Sequence, residues 1–219
     1  MCWNQEISLN TFVFGVMALL FLFFTNTFSK YKIKLFSNPF MYVFFLEVIL
    51  VQLMEFFLWR NLDNKIINRN LTIMVSLLVF VQPPTLAMII KNTTVRYKII
   101  TSYFVFLLFC FFYLLFREKN SSFSFYTNVA KNGHLDWKWI KMRKYDEIMV
   151  LVYLAFFLIS AYFIGNTILL SLIFFSIAIS MYFYKTDETF STMWCWLANI
   201  GFLLMLFNVL IVMPFYEYE

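Results

Sequence analysis

The sequence predicts an all-α fold: a polytopic transmembrane helical bundle of about seven spans in one domain. Three observations predict it. Hydrophobic residues make up 63% of the 219-residue chain and charged residues only 13%, with a mean hydropathy of +0.77. A soluble domain of this size could not cover that much apolar surface, so lipid must be its solvent. Seven separate stretches are long and apolar enough to cross a bilayer as helices. The bases fall in the segments between those stretches, where they suit anionic lipid headgroups.

The spans are expected near residues 9–28, 39–59, 71–90, 98–116, 147–165, 167–184 and 192–214. The first has no basic segment before it and no small-residue cleavage site after it, so it is expected to remain as a span. The second, Phe40 to Trp59, carries Glu47, Gln52 and Glu55 in its interior. At 100° per residue, Glu47 and Glu55 lie about 80° apart, and Gln52 falls about 140° from Glu47. The two carboxyls are about 12 Å apart along the axis. A carboxylate in hydrocarbon costs at least a few kcal/mol, so this face must meet protein or water. Desolvation favours the neutral acid, which makes a proton on one or both carboxyls the simplest solution.

The third span contains Gln82-Pro83-Pro84. Each proline frees a carbonyl one turn earlier and should kink the helix, either as a structural feature or by opening a cavity beside Glu55. Gln82 would be the hydrogen-bond partner of Glu55. The fifth and sixth spans are divided only by Gly165-Asn166, a tight turn, the alternative being one kinked segment. The seventh carries Asn199 and Asn208, and Asn inside a span usually bonds across helices.

A long polar segment, residues 117–146, interrupts the spans, which take a 3+1+3 layout around it. Its Trp-Lys alternation, Leu135-Asp136-Trp137-Lys138-Trp139, suits a segment lying at the membrane interface. The other reading is a lid over the bundle with His134 facing inward. Eleven bases fall on the N-terminal side of the spans and six on the other, which places the N-terminus in the cytosol and the C-terminus outside. Seven of the eleven come from the long segment alone, so the orientation depends on it.

Several chemistries are excluded or disfavoured. One histidine is too few for a three-ligand zinc hydrolase. The last span has no lysine for a retinal Schiff base. No G-x-S-x-G, P-loop or HExxH motif occurs. No metal site and no cofactor is expected, nothing resembles a nucleic-acid surface, and a homo-oligomer is left open. The richness in Phe, Ile, Asn and Lys is what an AT-rich genome would give, and such a composition would suit a large DNA virus.

Four short motifs occur in order: Met1-Cys2-Trp3, Leu53-Met54-Glu55, Phe80-Val81-Gln82-Pro83 and His134-Leu135-Asp136-Trp137. Together they resemble a family of multi-pass membrane proteins from bacteria and environmental samples that begin Met-Cys-Trp. The resemblance implies a helical bundle with no established activity. It marks Trp3, Glu55, Gln82, His134 and Trp137 as one constellation. The family's loop carries cysteines ahead of the histidine; this chain has none there, so a loop disulfide does not carry over.

Three functions remain. The first is a channel or transporter for protons, cations or a small solute, with Glu55 as the gating acid and His134 and Trp137 as the lid. The second is a membrane-embedded enzyme acting on lipid, with His134 and Glu55 as base and acid. The third is a structural or assembly protein whose polar residues serve packing alone.

Overall fold

The computed structural model describes residues 4–118, 125–139 and 144–216. Seven helical spans are present, each long and apolar enough to cross a membrane: Gln5–Phe28, Pro39–Arg60, Lys65–Ala87, Thr93–Tyr113, Asp146–Ile164, Thr167–Tyr184 and Phe190–Phe215. The first six are α1 (Gln5–Phe28), α2 (Pro39–Arg60), α3 (Lys65–Ala87), α4 (Thr93–Glu118), α5 (Lys144–Ile164) and α6 (Thr167–Tyr184). The seventh is built from α7 (Phe190–Ala198), α8 (Ile200–Phe207), a π-helical turn Asn208–Val212 and α9 (Met213–Tyr216). Between α4 and α5 lies a hairpin of β1 (Thr127–Val129) and β2 (Leu135–Trp137). The protein is therefore an integral, multi-pass membrane protein.

Asparagines set the helix starts. Asn4, Asn64 and Asn166 each accept a backbone N–H three residues on, and Asn38 caps α2 ahead of Pro39. These caps satisfy amides that the first turn leaves over. The Asn64 cap also explains why α3 begins six residues before its expected apolar start. Its first turns, with Lys65 and Arg69 exposed, project beyond the apolar stretch. Gly165 takes a φ of +76°, which a residue with a Cβ adopts at a cost. The chain reverses there and Asn166 starts a new helix, so residues 147–184 form two spans rather than one kinked segment.

α2 runs through the middle of the bundle, packed against α1, α3 and α7. Its packing on α1 is close at Gly15, where an added Cβ would stand 2.8 Å from Ile49 Cγ1. Phe45 meets Phe202 of α8 at 4.8 Å, and Phe44 meets Phe157 of α5 at 6.3 Å between ring centres. Outward faces of α1, α4 and α6 stay exposed and apolar (Phe24, Phe109 and Phe175 among them), as lipid-facing surfaces should.

The hairpin docks on the end of the bundle. Thr127 pairs with Trp137 and Val129 with Leu135 in an antiparallel register. Gly133, at a φ of +79°, makes the reversal. Trp137 is 1% exposed and packs with Val51 and Leu58 of α2, Val75 and Val79 of α3 and Cys195 of α7. Trp139 stacks parallel to it at 6.0 Å. The indoles thus face the bundle, and the segment between α4 and α5 carries a hairpin docked on the helices. The physical reason is area: a buried Trp removes more apolar surface from water than one left at an interface.

Candidate functional site

All the described candidate site residues are buried, whereas Asn208 is half-buried. Glu47 is 8% exposed, Gln52 and Glu55 0%, Gln82 2%, Asn199 5%, His134 4% and Trp137 1%. Trp3 lies outside the described residues. They fall in three places rather than one.

The deepest place is the proline turn of α3. Pro83 and Pro84 lack the amides that would bond the carbonyls of Val79 and Phe80. The hydroxyl of Tyr153, on α5, donates to Val79 O at 2.8 Å, and that of Tyr103, on α4, donates to Phe80 O at 2.7 Å. Two tyrosines from two neighbouring helices therefore supply the donors that two consecutive prolines remove. One turn on, Thr85 Oγ1 lies 2.8 Å from Glu47 Oε1 and 3.0 Å from Val81 O, so its hydroxyl can donate to either. Glu47, not Glu55, is thus the carboxyl tied to this turn. On the register that joins residues 47 and 85, Glu55 stands opposite residue 77 of α3. That is about 7.5 Å nearer the hairpin than Gln82, at 1.5 Å per residue.

Two cavities adjoin the proline turn. One of about 90 Å³ is bounded by Val79, Phe80, Tyr153, Trp137 and Trp194. The other, of about 50 Å³, takes Gln82 with Val48, Phe157, Ile173 and Ser176. Trp194 and Cys195 line both. Glu55 lines neither, so the cavity expected beside it lies instead around Gln82 and the freed carbonyls.

The middle place is the α2 face toward α7. The Gln52 amide has no protein hydrogen-bond partner among the described residues, and neither have Glu47 Oε2 or Gln82 Nε2. Glu55 lies within electrostatic range of the Cys195 thiol. Asn199 does not bond across helices as its type suggests. Its Nδ2 donates to Cys195 O of the same span at 3.0 Å, and its Oδ1 faces Gly15 of α1. A side chain that returns to its own helix in this way often marks a bend, and α7 gives way to α8 at Asn199.

The third place is the hairpin. Asn68 of α3 holds both backbone polar groups of Thr127: Nδ2 donates to Thr127 O at 3.0 Å and Oδ1 accepts from Thr127 N at 2.9 Å. The Thr72 and Thr127 hydroxyls meet at 2.8 Å. Thr192 of α7 donates to Leu135 O at 3.1 Å. Asn132 reaches Asp187 and Thr189 in the turn after α6. The His134 ring stands edge-on to Tyr184 at 5.5 Å, and Lys138 pairs with Asp136.

Burial lowers the His134 pKa from the ordinary 6.5, opposed by the Asp187 charge. The sign of the consequence follows from linkage. An undocked His134 takes up its proton near pH 6.5, before the docked one does. Docking is therefore unimpaired above that pH and weakens as the pH falls below it. The protection of the amides across residues 127–137, their exchange taken relative to the intrinsic rate at each pH, should be lower at pH 5 than at pH 7.5. The His134→Asn variant should flatten the difference; an unchanged pH dependence would place the titration elsewhere.

No group of three or more His, Cys, Asp or Glu residues able to hold a metal occurs among the described residues. Sequence reasoning missed Tyr103, Tyr153, Thr85, Asn68 and Thr72. The proline positions named the two carbonyls in need of donors, but nothing local named the donors. Comparison with family models, curated proteins and solved structures finds no match. The likeness to the Met-Cys-Trp family accordingly rests on the four motifs alone.

Proposed function

We propose that the protein is a small channel or transporter for protons, cations or a small solute, working through the acids inside its bundle. The observation that carries this reading is Glu47. It is 92% buried in a membrane span, its Oε1 meets only the Thr85 hydroxyl, and no described lysine or arginine is buried anywhere in the protein. A carboxyl so placed is neutralised by a proton or by a passing cation. Gln52 and Gln82 offer buried amides to the same interior. The docked hairpin, with His134 and Trp137, acts as the closure on one face. The excess of bases on that face makes it the cytosolic one. Glu55, beneath the hairpin, is the gating acid, and Glu47 with Thr85 and Gln82 is the inner site at the proline turn.

The test is flux in proteoliposomes across a pH gradient, with potassium or sodium as alternative cations. Glu47→Gln and Glu55→Gln should each lower the flux at least tenfold while the protein stays folded. Loss in Glu47→Gln alone would move the gate to the inner site. Equal flux in both variants and the wild type would sink the reading, as would no flux in any of them.

A further inference from the structure

The larger cavity has a shape of its own, and it does not involve Glu47 or Glu55. It lies between the inner face of α4 and the rest of the bundle. Phe106, Cys110 and Tyr113 recur at helical spacing on that face, so the cavity follows α4 for seven residues, about 10 Å. On α5 it runs from Asp146 to Leu154, about 12 Å. Its polar residues gather at one end. Asp146 stands in the first turn of α5, Ser191 is the second residue of α7, and Tyr113 donates to Asp146 Oδ1 at 3.1 Å near the end of α4. Away from that end the wall is aromatic and aliphatic, and the Tyr153 hydroxyl there is committed to Val79 O.

An apolar cavity stays dry and takes apolar ligands; one of about 150 Å³ in another protein binds benzene. This one holds about 90 Å³. It is elongated along the membrane normal, polar where the helices begin and apolar toward mid-membrane. At this volume, below that of the benzene site, it takes a few carbons of a slender chain rather than a ring. We propose that the cavity binds a single hydrocarbon chain, with its polar head at the Tyr113–Asp146 end. The chain comes either from a bilayer lipid or from a free single-chain amphiphile.

Tryptophan fluorescence reads the site directly. Trp137, Trp139 and Trp194 line it and are 1%, 8% and 8% exposed, so bilayer lipid does not touch them from outside. In a background with Trp3, Trp59 and Trp196 changed to Phe, bromine carried on a chain in the cavity should quench these three. The probes are a free brominated fatty alcohol added to unlabelled nanodiscs, and nanodiscs of dibrominated phosphatidylcholine. Saturable quenching by the alcohol alone identifies a free amphiphile; quenching by the brominated bilayer alone identifies a lipid tail. Cys110→Phe and Val150→Phe fill the cavity from two sides, and each should weaken the alcohol's half-saturation at least tenfold or halve the bilayer quenching. Native mass spectrometry of the unsubstituted protein should show one retained chain-bearing molecule. A protein that arrives bare and is quenched by neither probe overturns the proposal. So does quenching that both filled variants leave unchanged while their helicity is intact.

Discussion

Tyr153→Phe should destabilise the bundle by about 1–3 kcal/mol, the cost of leaving a buried carbonyl without its donor. The ring stays, and with it the edge contacts to Phe157 at 5.3 Å and to Phe80 at 6.3 Å. Only the hydroxyl leaves, and with it the 2.8 Å bond to Val79 O. Tyr103→Phe should do the same through Phe80 O. The pairing makes a sharper claim than either loss. Pro83 is the residue whose missing amide frees Val79 O, and Pro84 frees Phe80 O. Pro83→Ala should therefore recover at least half the loss of Tyr153→Phe and little of the loss of Tyr103→Phe. Pro84→Ala should show the opposite preference. Unfolding in mixed micelles, read as double-mutant cycles, gives the four coupling energies. If the two alanines rescue both tyrosine variants equally, the donors are not assigned carbonyl by carbonyl, and α3 is relieved by some other route.

That pairing also marks how far the sequence could be read. Span lengths, the tight turn at Gly165-Asn166 and the burial of Glu47, Gln52 and Glu55 follow from rules that act over one helical turn or over the thickness of a bilayer. Hydrocarbon cannot solvate a carboxyl, so α2 had to be central, and it is. The need for donors at Val79 and Phe80 was legible in the same way, from Pro83 and Pro84. That the donors are Tyr103 and Tyr153, from 23 and 74 residues away, was not, because thirteen tyrosines look alike in a sequence. Asn199 shows the converse. Its type argued for a bond across helices, but its amide donates to the Cys195 carbonyl of its own span. The long segment misleads for a related reason. Alternating Trp and Lys fits a segment at the interface whether or not it docks on the bundle, and the contacts that dock it come from Asn68 and Thr72, some 60 residues earlier.

Asn68→Ala should release the hairpin while leaving the seven spans assembled. Asn68 is 0% exposed, and its amide serves both the N–H and the C=O of Thr127. Truncation leaves two buried backbone groups unpaired at once. At about 1–3 kcal/mol for each unsatisfied group, the docked state should lose roughly 2–6 kcal/mol. That raises the undocked population on the order of thirtyfold or more. Hydrogen exchange across residues 127–137 should accelerate by that factor, whereas exchange within α2 and α5 should not change. Thr72→Val is the milder comparison, because it removes one hydroxyl from a pair at 2.8 Å and keeps the volume of the side chain. It should give about a tenfold effect at most, since the net value of one such bond is about 1 kcal/mol. Equal acceleration throughout α2, α3 and the hairpin would mean that the lid and the bundle open together. In that case the hairpin could not act as an independent closure, and Trp137, packed between Val51, Val75 and Cys195, would be a core residue of the whole bundle. Selective release would instead leave Glu55 and Gln52 one opening event away from water. A closure needs that property, and local unfolding of a small unit can supply it.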